Sequence, residues 1–254
     1  MNIFKSVSDL FGKASDNVEF VLVFLAVIVG VFFIAYLAER LIQKKHGVKE
    51  KVLTTRKMAM IGMFSAISGV LMYFEFPLPM IAPPFYELDF SELPVLICGY
   101  AFGPLAGVVT EFLKVLIKLF LKSTSTAFVG DLANFAVGCT MILPATIIYH
   151  CKKKKKVAVI SCIVGTLCMT VFGTAFNAIY LLPTFADMFF GENGSAIIIG
   201  MGSSIHASIN SFTTLALLCV APLNLIKGTV ISVLTMLLYK PLSPIIKEGQ
   251  RKHR

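Results

Sequence analysis

Long apolar segments separated by short basic blocks constrain this chain more than any other feature of its sequence. A helix needs about 20 apolar residues to cross a bilayer. Apolar segments near that length or longer lie at residues 18–42, 58–74, 93–121, 129–150, 157–182 and 197–239. The 254 residues are 57% hydrophobic and only 15% charged, which leaves too few polar side chains to cover a water-soluble domain. The sequence therefore predicts an all-α, multi-pass membrane protein.

Glycine and proline residues divide these segments into helices. Gly103 and Pro104 predict a break within the third segment, which gives a short helix followed by a longer one. Pro183 is predicted to end the segment before it, and Pro222 to interrupt the last one. The first segment is longer than the apolar region of a signal peptide, so we expect it to be retained. The prediction is six core transmembrane helices plus one extra N-terminal transmembrane helix.

The positions of the basic residues predict the orientation of these helices. The formal net charge is +9, and most Lys and Arg residues fall in three blocks, at residues 44–57, 152–156 and 247–254. Basic loops of membrane proteins stay on the cytoplasmic side, and the predicted helix count places all three blocks there. Residues 76–92 and 183–212 contain no Lys or Arg and are predicted to lie outside, as is Met1. Blocks between apolar segments differ from the basic face of a nucleic-acid-binding protein, so we expect no nucleic-acid partner and a cytoplasmic C-terminus.

Three ionisable residues share one face of a predicted helix. Glu111, Lys114 and Lys118 are spaced i, i+3 and i+7, so Glu111 can pair with Lys114. Charged side chains within a bilayer face the protein interior or a water-filled cavity, so the pair either fixes the helix orientation or contributes to a ligand site. Asp131 opens the next helix, where we expect its carboxylate to cap the N-terminus or to favour it through the helix dipole.

Two asparagines and a lysine stand out in the C-terminal half. Asn177 lies within an apolar segment, and Asn224 and Lys227 project from one face directly after Pro222. A cation near a helix N-terminus opposes the helix dipole, so Lys227 needs a nearby acceptor. An acceptor-rich ligand would supply one. The alternative is hydrogen bonding between helices by the asparagines, with Lys227 reaching toward the membrane surface.

The sequence contains no motif for an enzyme or a metal site. The four histidines are scattered, the six cysteines form no CxxC pair, and no glycine-rich phosphate loop is present. We therefore expect free thiols, no catalytic residues, no metal and no ATP hydrolysis by this chain. A transport function would need energy from a partner or from an ion gradient.

Six short stretches carry a resemblance to a known family. They are FEFPLP at residues 74–79, LDFSELP at 88–94, FGPLAG at 102–107, GDLANF at 130–135, PLNLIKG at 222–228 and LYKPLS at 238–243. Together they resemble the riboflavin-binding S-components (the RibU family) of energy-coupling factor (ECF) transporters. The resemblance covers roughly residues 55–246 and implies a six-helix substrate-binding domain there. It leaves residues 1–54 as an extension with the extra helix and a basic linker, and residues 247–254 as a basic tail.

The resemblance implies a function and a set of partners. Such a subunit captures riboflavin from the outer face and docks on a membrane coupling subunit driven by two cytoplasmic ATPases. Riboflavin is then a transported ligand, no cofactor is required, and ATP is used by the partners. Gly62 and Ala66 on the first core helix occupy the positions of the family's contact with the coupling subunit.

The resemblance also implies the ligand-binding residues. It assigns the ribityl hydroxyls of riboflavin to Asn177, Asn224 and Lys227. It assigns the isoalloxazine ring to the external loop at residues 76–90. The loop side chains expected to contact the ring are Phe76, Leu78, Phe85 and Leu88.

Two other functions remain open. An S-component for another vitamin would have the same architecture and would show no flavin preference in a binding screen. A stand-alone ion-coupled transporter could use Glu111, Lys114 and Asp131 as a charge relay. Uptake into vesicles by the chain alone would favour that second function.

Overall fold

The computed structural model describes residues 18–47, 53–122 and 129–251, and its described part is mostly helical. Met1, residues 48–52 of the basic linker, residues 123–128 of a predicted outer turn and residues 252–254 of the tail lie outside the described residues. In chain order the helices are α1 (Val18–Lys45), α2 (Thr55–Tyr73), α3 (Glu92–Phe102), α4 (Pro104–Leu121), α5 (Val129–Cys151), α6 (Lys155–Phe176), α7 (Leu182–Phe190), α8 (Gly194–Ser203), α9 (Phe212–Leu215) and α10 (Ala221–Arg251). Two short strands, β1 (Phe76–Pro77) and β2 (Glu87–Leu88), pair antiparallel in the loop between α2 and α3.

Four helical runs in the described part of the chain are long and apolar enough to cross a membrane. They are Phe24–Lys45, Val129–Cys151, Lys155–Ser203 and Phe212–Leu238. Helix α3 has only 11 residues, and α4 carries three charged side chains within 18 residues. The multi-pass architecture is therefore clear, whereas the count of six core helices plus one stays a prediction.

The break between α3 and α4 confirms the prediction made from glycine and proline. Gly103 has a φ of 111°, a conformation that side chains with a Cβ rarely adopt. Pro104 then starts α4, where its missing N–H leaves no helical hydrogen bond unmade. The chain therefore reverses sharply at this point, and α3 and α4 pack against each other.

The predictions for the other two prolines were wrong in detail. Pro183 does not end a helix, because a π-helical turn at Asn177–Leu181 leads directly into α7 and the proline occupies the first turn of α7. The interruption expected at Pro222 lies just before it, in a second π-helical turn at Ala216–Val220. Residues 183–212, predicted as an external connection, include α7 and α8, which pack on each other. Isolated π-helical turns are frequent at functional sites, and one of these begins at Asn177.

The extra helix α1 packs on α4 and α5 through apolar side chains and carries a buried carboxylate near its C-terminal end. Glu39 pairs with Lys57 at the start of α2, with 3.4 Å between Nζ and Oε1. Its carboxylate fills the space beside Gly103, where a Cβ would lie only 2.1 Å from Oε2. At the same end, the ring of His46 contacts the backbone oxygen of His150 at 3.1 Å. The basic blocks around residues 44–57 and 152–156 therefore lie at one end of the helices, as their shared placement predicted.

The opposite end is closed by the loop between α2 and α3. In the two-stranded ladder, Phe76 is opposite Leu88 and Pro77 is opposite Glu87. Leu88 is buried in an apolar cluster with residues of α7, α8 and α10, including Leu182, Ile198 and Leu223. This packing holds the loop over the ends of the helices that carry Asn177 and Asn224.

Candidate substrate-binding site

A cavity of about 300 Å³ lies beneath the loop between α2 and α3. Its walls come from that loop, from α3, α4, α5 and α6 with the π-helical turn that follows it, and from α7 and α10. This volume falls at the lower end of the range for small-molecule sites, about 300–1,000 Å³. The lining residues used below are Phe85, Tyr86, Glu92, Asp131, Asn134, Asn177, Phe185, Asn224 and Lys227.

Asn177 is held in one orientation by two hydrogen bonds. Its Nδ2 donates to the backbone oxygen of Gly173 at 2.7 Å, and its Oδ1 accepts from the hydroxyl of Tyr86 at 2.6 Å. Burial raises the pKa of Tyr86 well above its usual value, so the phenol keeps its proton and acts as donor. An amide offers two donors and two acceptor positions, so Asn177 retains one of each for a ligand.

Lys227 finds its acceptors within the protein. Its Nζ lies 2.9 Å from Oδ2 of Asp89 and 2.9 Å from Oε1 of Glu92. Burial alone would raise the pKa of Asp89, but the charges of Lys227 and Lys114 and the hydrogen bonds from Ser91 and Lys227 together outweigh burial and hold that pKa below its usual range. An ammonium has three donors, so one N–H remains for a ligand in the cavity.

Asn224 packs against α6 beside Gly173. A Cβ at Gly173 would lie 2.5 Å from Nδ2 of Asn224, so the missing side chain makes room for the amide. Asn224 is 9% exposed and makes no hydrogen bond to any residue within the described ranges. It therefore presents an unengaged amide to the cavity.

Aromatic rings from two parts of the chain cover the same end of the cavity. The ring of Phe85 lies 4.7 Å from that of Tyr86 and 5.1 Å from that of Phe185, in a stacked arrangement with Phe185. Phe185 belongs to α7, which follows the π-helical turn. A flat apolar ligand could extend this stack, because offset stacking is favourable between aromatic groups.

The structure brings together four of the seven side chains expected to bind the ligand. Phe85, Asn177, Asn224 and Lys227 line the cavity, whereas Phe76, Leu78 and Leu88 are absent from its lining. Phe76 is 41% exposed and contacts Phe90, and Leu88 and Leu78 belong to the apolar cluster that supports the loop.

A chain of ion pairs runs from the cavity into the helices. Lys114 lies 2.7 Å from Glu111 and 3.1 Å from Glu92, so the predicted pair at i, i+3 is present and is shared with a third residue. Asp131 lies in the first turn of α5, where a carboxylate favours the helix N-terminus, as expected. Its Oδ1 also pairs with Lys118, which supplies the opposite charge that a buried carboxylate needs.

The face expected to contact a coupling subunit is open. Gly62 and Ala66 are both exposed on α2, and nothing lies within 4 Å of a Cβ built at Gly62. The buried residues of α2, among them Phe64 and Gly69, face α3 and α4 instead.

These features define a helical membrane protein with a binding cavity for a small molecule that has apolar and hydrogen-bonding parts. The chain matches the family described as ECF transporter, substrate-specific component, over residues 56–239, and it belongs to that family. The resemblance inferred from the six stretches is thereby confirmed. The protein is a transporter component rather than an enzyme, and a multi-pass membrane protein.

Similar proteins cover most of the chain. Riboflavin transporter RibU of Staphylococcus aureus (strain TCH60) is 32% identical over 192 residues, which is 76% of this chain and 93% of the relative. Riboflavin transporter FmnP of Bacillus subtilis (strain 168) is 29% identical over 199 residues, 78% of this chain and 97% of the relative. A solved structure, described as "Structure and mechanism of the S component of a bacterial ECF transporter", is 33% identical with a TM-score of 0.58. It covers 76% of this chain and 98% of its own.

Sequence reasoning missed the acceptors of Lys227 and the partner of Asn177. Asp89 and Glu92 stand in the stretch LDFSELP that carried part of the resemblance, but their contact with a lysine 138 residues after Asp89 has no local signal. Tyr86 stood among several aromatic residues of the loop, and nothing in its spacing distinguished it.

Proposed function

We propose that this chain captures riboflavin and delivers it to an ATP-driven coupling module. The observation that carries the proposal is the cavity that joins an aromatic wall, formed by Phe85 and Phe185, to the amides and ammonium of Asn177, Asn224 and Lys227. Two of its relatives are riboflavin transporters that align over most of their own length.

Riboflavin matches this arrangement chemically. Its flat isoalloxazine ring suits the aromatic wall, and its ribityl chain carries hydroxyls that both donate and accept hydrogen bonds. The residues assigned to that chain keep free capacity. Asn224 is unengaged within the described residues, and Asn177 and Lys227 each retain at least one donor.

The proposal includes an orientation in the cell membrane. The basic residues near Lys57 and Lys153 lie at the end opposite the cavity, which supports a cytoplasmic position for that end. The cavity then opens toward the outside, as uptake requires. We further propose six core helices plus α1 as an extra membrane span, with the C-terminus in the cytoplasm.

The proposed partners are a membrane coupling subunit and two cytoplasmic ATPase subunits. The chain contains no phosphate-binding loop, so energy from ATP must come from other subunits. The exposed position of Gly62 and Ala66 supports this face of α2 as the contact with the coupling subunit, since small residues let helices approach closely.

Flavin binding by the purified protein tests the proposal directly. We expect riboflavin fluorescence to be quenched on binding, and Asn224→Ala to weaken binding at least tenfold. Asn210→Ala, at an exposed asparagine that does not line the cavity, is the matched control and should bind as tightly as the unchanged chain. Absence of quenching would overturn the riboflavin assignment, and unchanged affinity in Asn224→Ala would overturn the site.

A stand-alone ion-coupled transporter is the competing function. The ion pairs of Glu111, Lys114 and Asp131 support a structural role for these residues over a charge relay. Riboflavin uptake by vesicles that contain this chain and no ATPase partners would contradict our proposal.

A further inference from the structure

Asp131 carries a buried oxygen that no protein group satisfies within the described residues. Its Oδ1 pairs with Lys118, whereas its Oδ2 has no hydrogen-bond partner there. The residue is only 2% exposed and lines the cavity. A buried, unpaired carboxylate oxygen is costly, so its position on a cavity wall points to a ligand group that donates a hydrogen bond.

Asn134 lies one helical turn further along the same wall. It also lines the cavity, and its amide makes no hydrogen bond to a described residue. Residues three apart on a helix share a face, so the amide of Asn134 is a neighbour of the carboxylate of Asp131.

The length of α5 sets how far Asp131 and Asn134 lie from the residues assigned to the ribityl chain. Val137, three residues after Asn134, approaches Gly173, where the amide of Asn224 packs. At a rise of 1.5 Å per residue, Asp131 and Val137 are about 9 Å apart along α5. A ring system of three fused six-membered rings is about as long. A flavin with its ribityl chain near Asn224 can therefore reach Asp131 with the far edge of its ring.

We propose that Asp131 and Asn134 form a second subsite, which recognises the imide edge of the isoalloxazine ring. This inference rests on the proposed riboflavin function. The imide edge presents one N–H between two carbonyl groups. The Oδ2 atom of Asp131 accepts the hydrogen bond from the ring N–H, and the amide of Asn134 donates to an adjacent carbonyl. This edge presents an acceptor, a donor and an acceptor in that order, and this pattern distinguishes flavins from ring systems that lack an imide.

The charges around the subsite favour a neutral donor over an anion. Glu75 and Glu87 line the same part of the cavity as Asp131. Lys118 is already shared between Glu75 and Asp131. Glu75 also pairs with Lys122, so three carboxylates are balanced by two ammonium groups. An anionic group would add to this excess of negative charge, whereas an imide N–H adds no negative charge.

Methylation of the ring nitrogen tests the subsite. The measurement compares the affinities of riboflavin and 3-methylriboflavin, which lacks the imide N–H, for the unchanged chain, Asp131→Ala and Asn134→Ala. Asp187→Ala and Asn193→Ala are the matched controls, because both residues are exposed and neither lines the cavity. We expect methylation to weaken binding at least tenfold in the unchanged chain and in both controls, since hydrogen bonds to charged groups are among the strongest.

Comparing the two flavins in the unchanged chain and in Asp131→Ala distinguishes loss of this hydrogen bond from steric crowding by the methyl group. In Asp131→Ala the penalty of methylation should fall to threefold or less, and Asn134→Ala should weaken riboflavin binding about fivefold. Equal binding of the two flavins by the unchanged chain, or an undiminished penalty in Asp131→Ala, overturns the subsite while the riboflavin function stands. If Asp131→Ala does not fold, the comparison in the unchanged chain and the Asn134→Ala affinity decide the question. Failure of the unchanged chain to bind riboflavin at all would instead overturn the proposed function.

Discussion

The hydroxyl of Tyr86 donates a hydrogen bond of 2.6 Å to the amide oxygen of Asn177 across 91 residues of sequence. This bond joins the loop above the cavity to the π-helical turn at its wall. One contact thus fixes both the position of the loop and the orientation of an amide assigned to the ligand.

Removal of the Tyr86 hydroxyl should accelerate flavin release. Tyr86→Phe keeps the ring and its packing on Phe85 but loses one buried hydrogen bond, worth about 1 kcal/mol. Stopped-flow fluorescence should show dissociation about fivefold faster. Tyr100→Phe removes another buried hydroxyl, bonded to Ser161 away from the cavity, and should leave dissociation unchanged. If flavin dissociates from Tyr86→Phe no faster than from Tyr100→Phe, the hydroxyl of Tyr86 does not hold the loop.

Lys227 should matter for stability as well as for binding. Lys227→Met leaves Asp89 without its ammonium partner in a buried site, and loss of one member of a buried ion pair costs about 3–5 kcal/mol. Thermal unfolding in detergent should show a clear fall in Tm, with partial recovery in the double variant Lys227→Met, Asp89→Asn. Lys152→Met, at an exposed lysine, is the control. A double variant less stable than the single one would contradict the pairing.

The pKa of Asp89 predicts how the loop responds to acid. Burial opposes ionisation, but the two neighbouring ammonium groups and the hydrogen bonds to this carboxylate together outweigh burial and hold the pKa below the usual range. The folded state therefore favours the carboxylate more than the unfolded state does. The stabilisation is therefore complete above about pH 4 and is lost as the pH falls further through the folded-state pKa. Flavin should stay bound at pH 5 and dissociate only in stronger acid. Asp89→Asn should lack this acid-dependent release of flavin. If the unchanged chain instead releases flavin with a midpoint above pH 5, and this release is absent in Asp89→Asn, the lowered pKa of Asp89 is refuted.

The charges of the cavity predict discrimination against phosphorylated flavin. Four carboxylates and two ammonium groups line it, a balance of −2: Glu75, Glu87, Glu92 and Asp131 against Lys118 and Lys227. Both lysines already pair with carboxylates. FMN should bind at least tenfold more weakly than riboflavin by fluorescence titration, and Glu75→Gln should narrow that difference. Equal affinities would mean that the phosphate stays outside the cavity.

The open face of α2 predicts a defect confined to transport. Gly62→Phe places a bulky ring where nothing lies within 4 Å, so riboflavin affinity and Tm should not change. Assembly with the coupling module should be strongly reduced. Co-purification with that module and riboflavin uptake in cells measure this loss. Ile67→Phe is the control, at an exposed position about 140° around the same helix. Normal assembly of Gly62→Phe would move the contact to another surface.

Residue type and short-range spacing predicted the helices and their breaks better than they predicted the binding site. The reversal at Gly103 and the Glu111–Lys114 pair follow from residue type and short spacing, and both are present. Each π-helical turn ends two residues before a proline, at Pro183 and Pro222, so the prolines marked where the helices are interrupted. They did not predict that the interruption would be a widened turn with the helix continuing beyond it.

The site was only partly visible in the sequence. Asn177, Asn224 and Lys227 could be singled out because polar groups are rare in apolar helices. Their partners Tyr86 and Asp89 come from a distant loop, and such contacts leave no periodic pattern along the chain.

The carboxylate of Glu39 fills the space that a side chain at position 103 would take, so α1 is difficult to remove from this chain or to add to another. A shortened chain that begins after α1 would expose an unfilled pocket at the α3–α4 turn, and a shorter relative given this helix by fusion would need glycine at that turn to accept it. Engineering of either kind has to treat the two positions as a single unit.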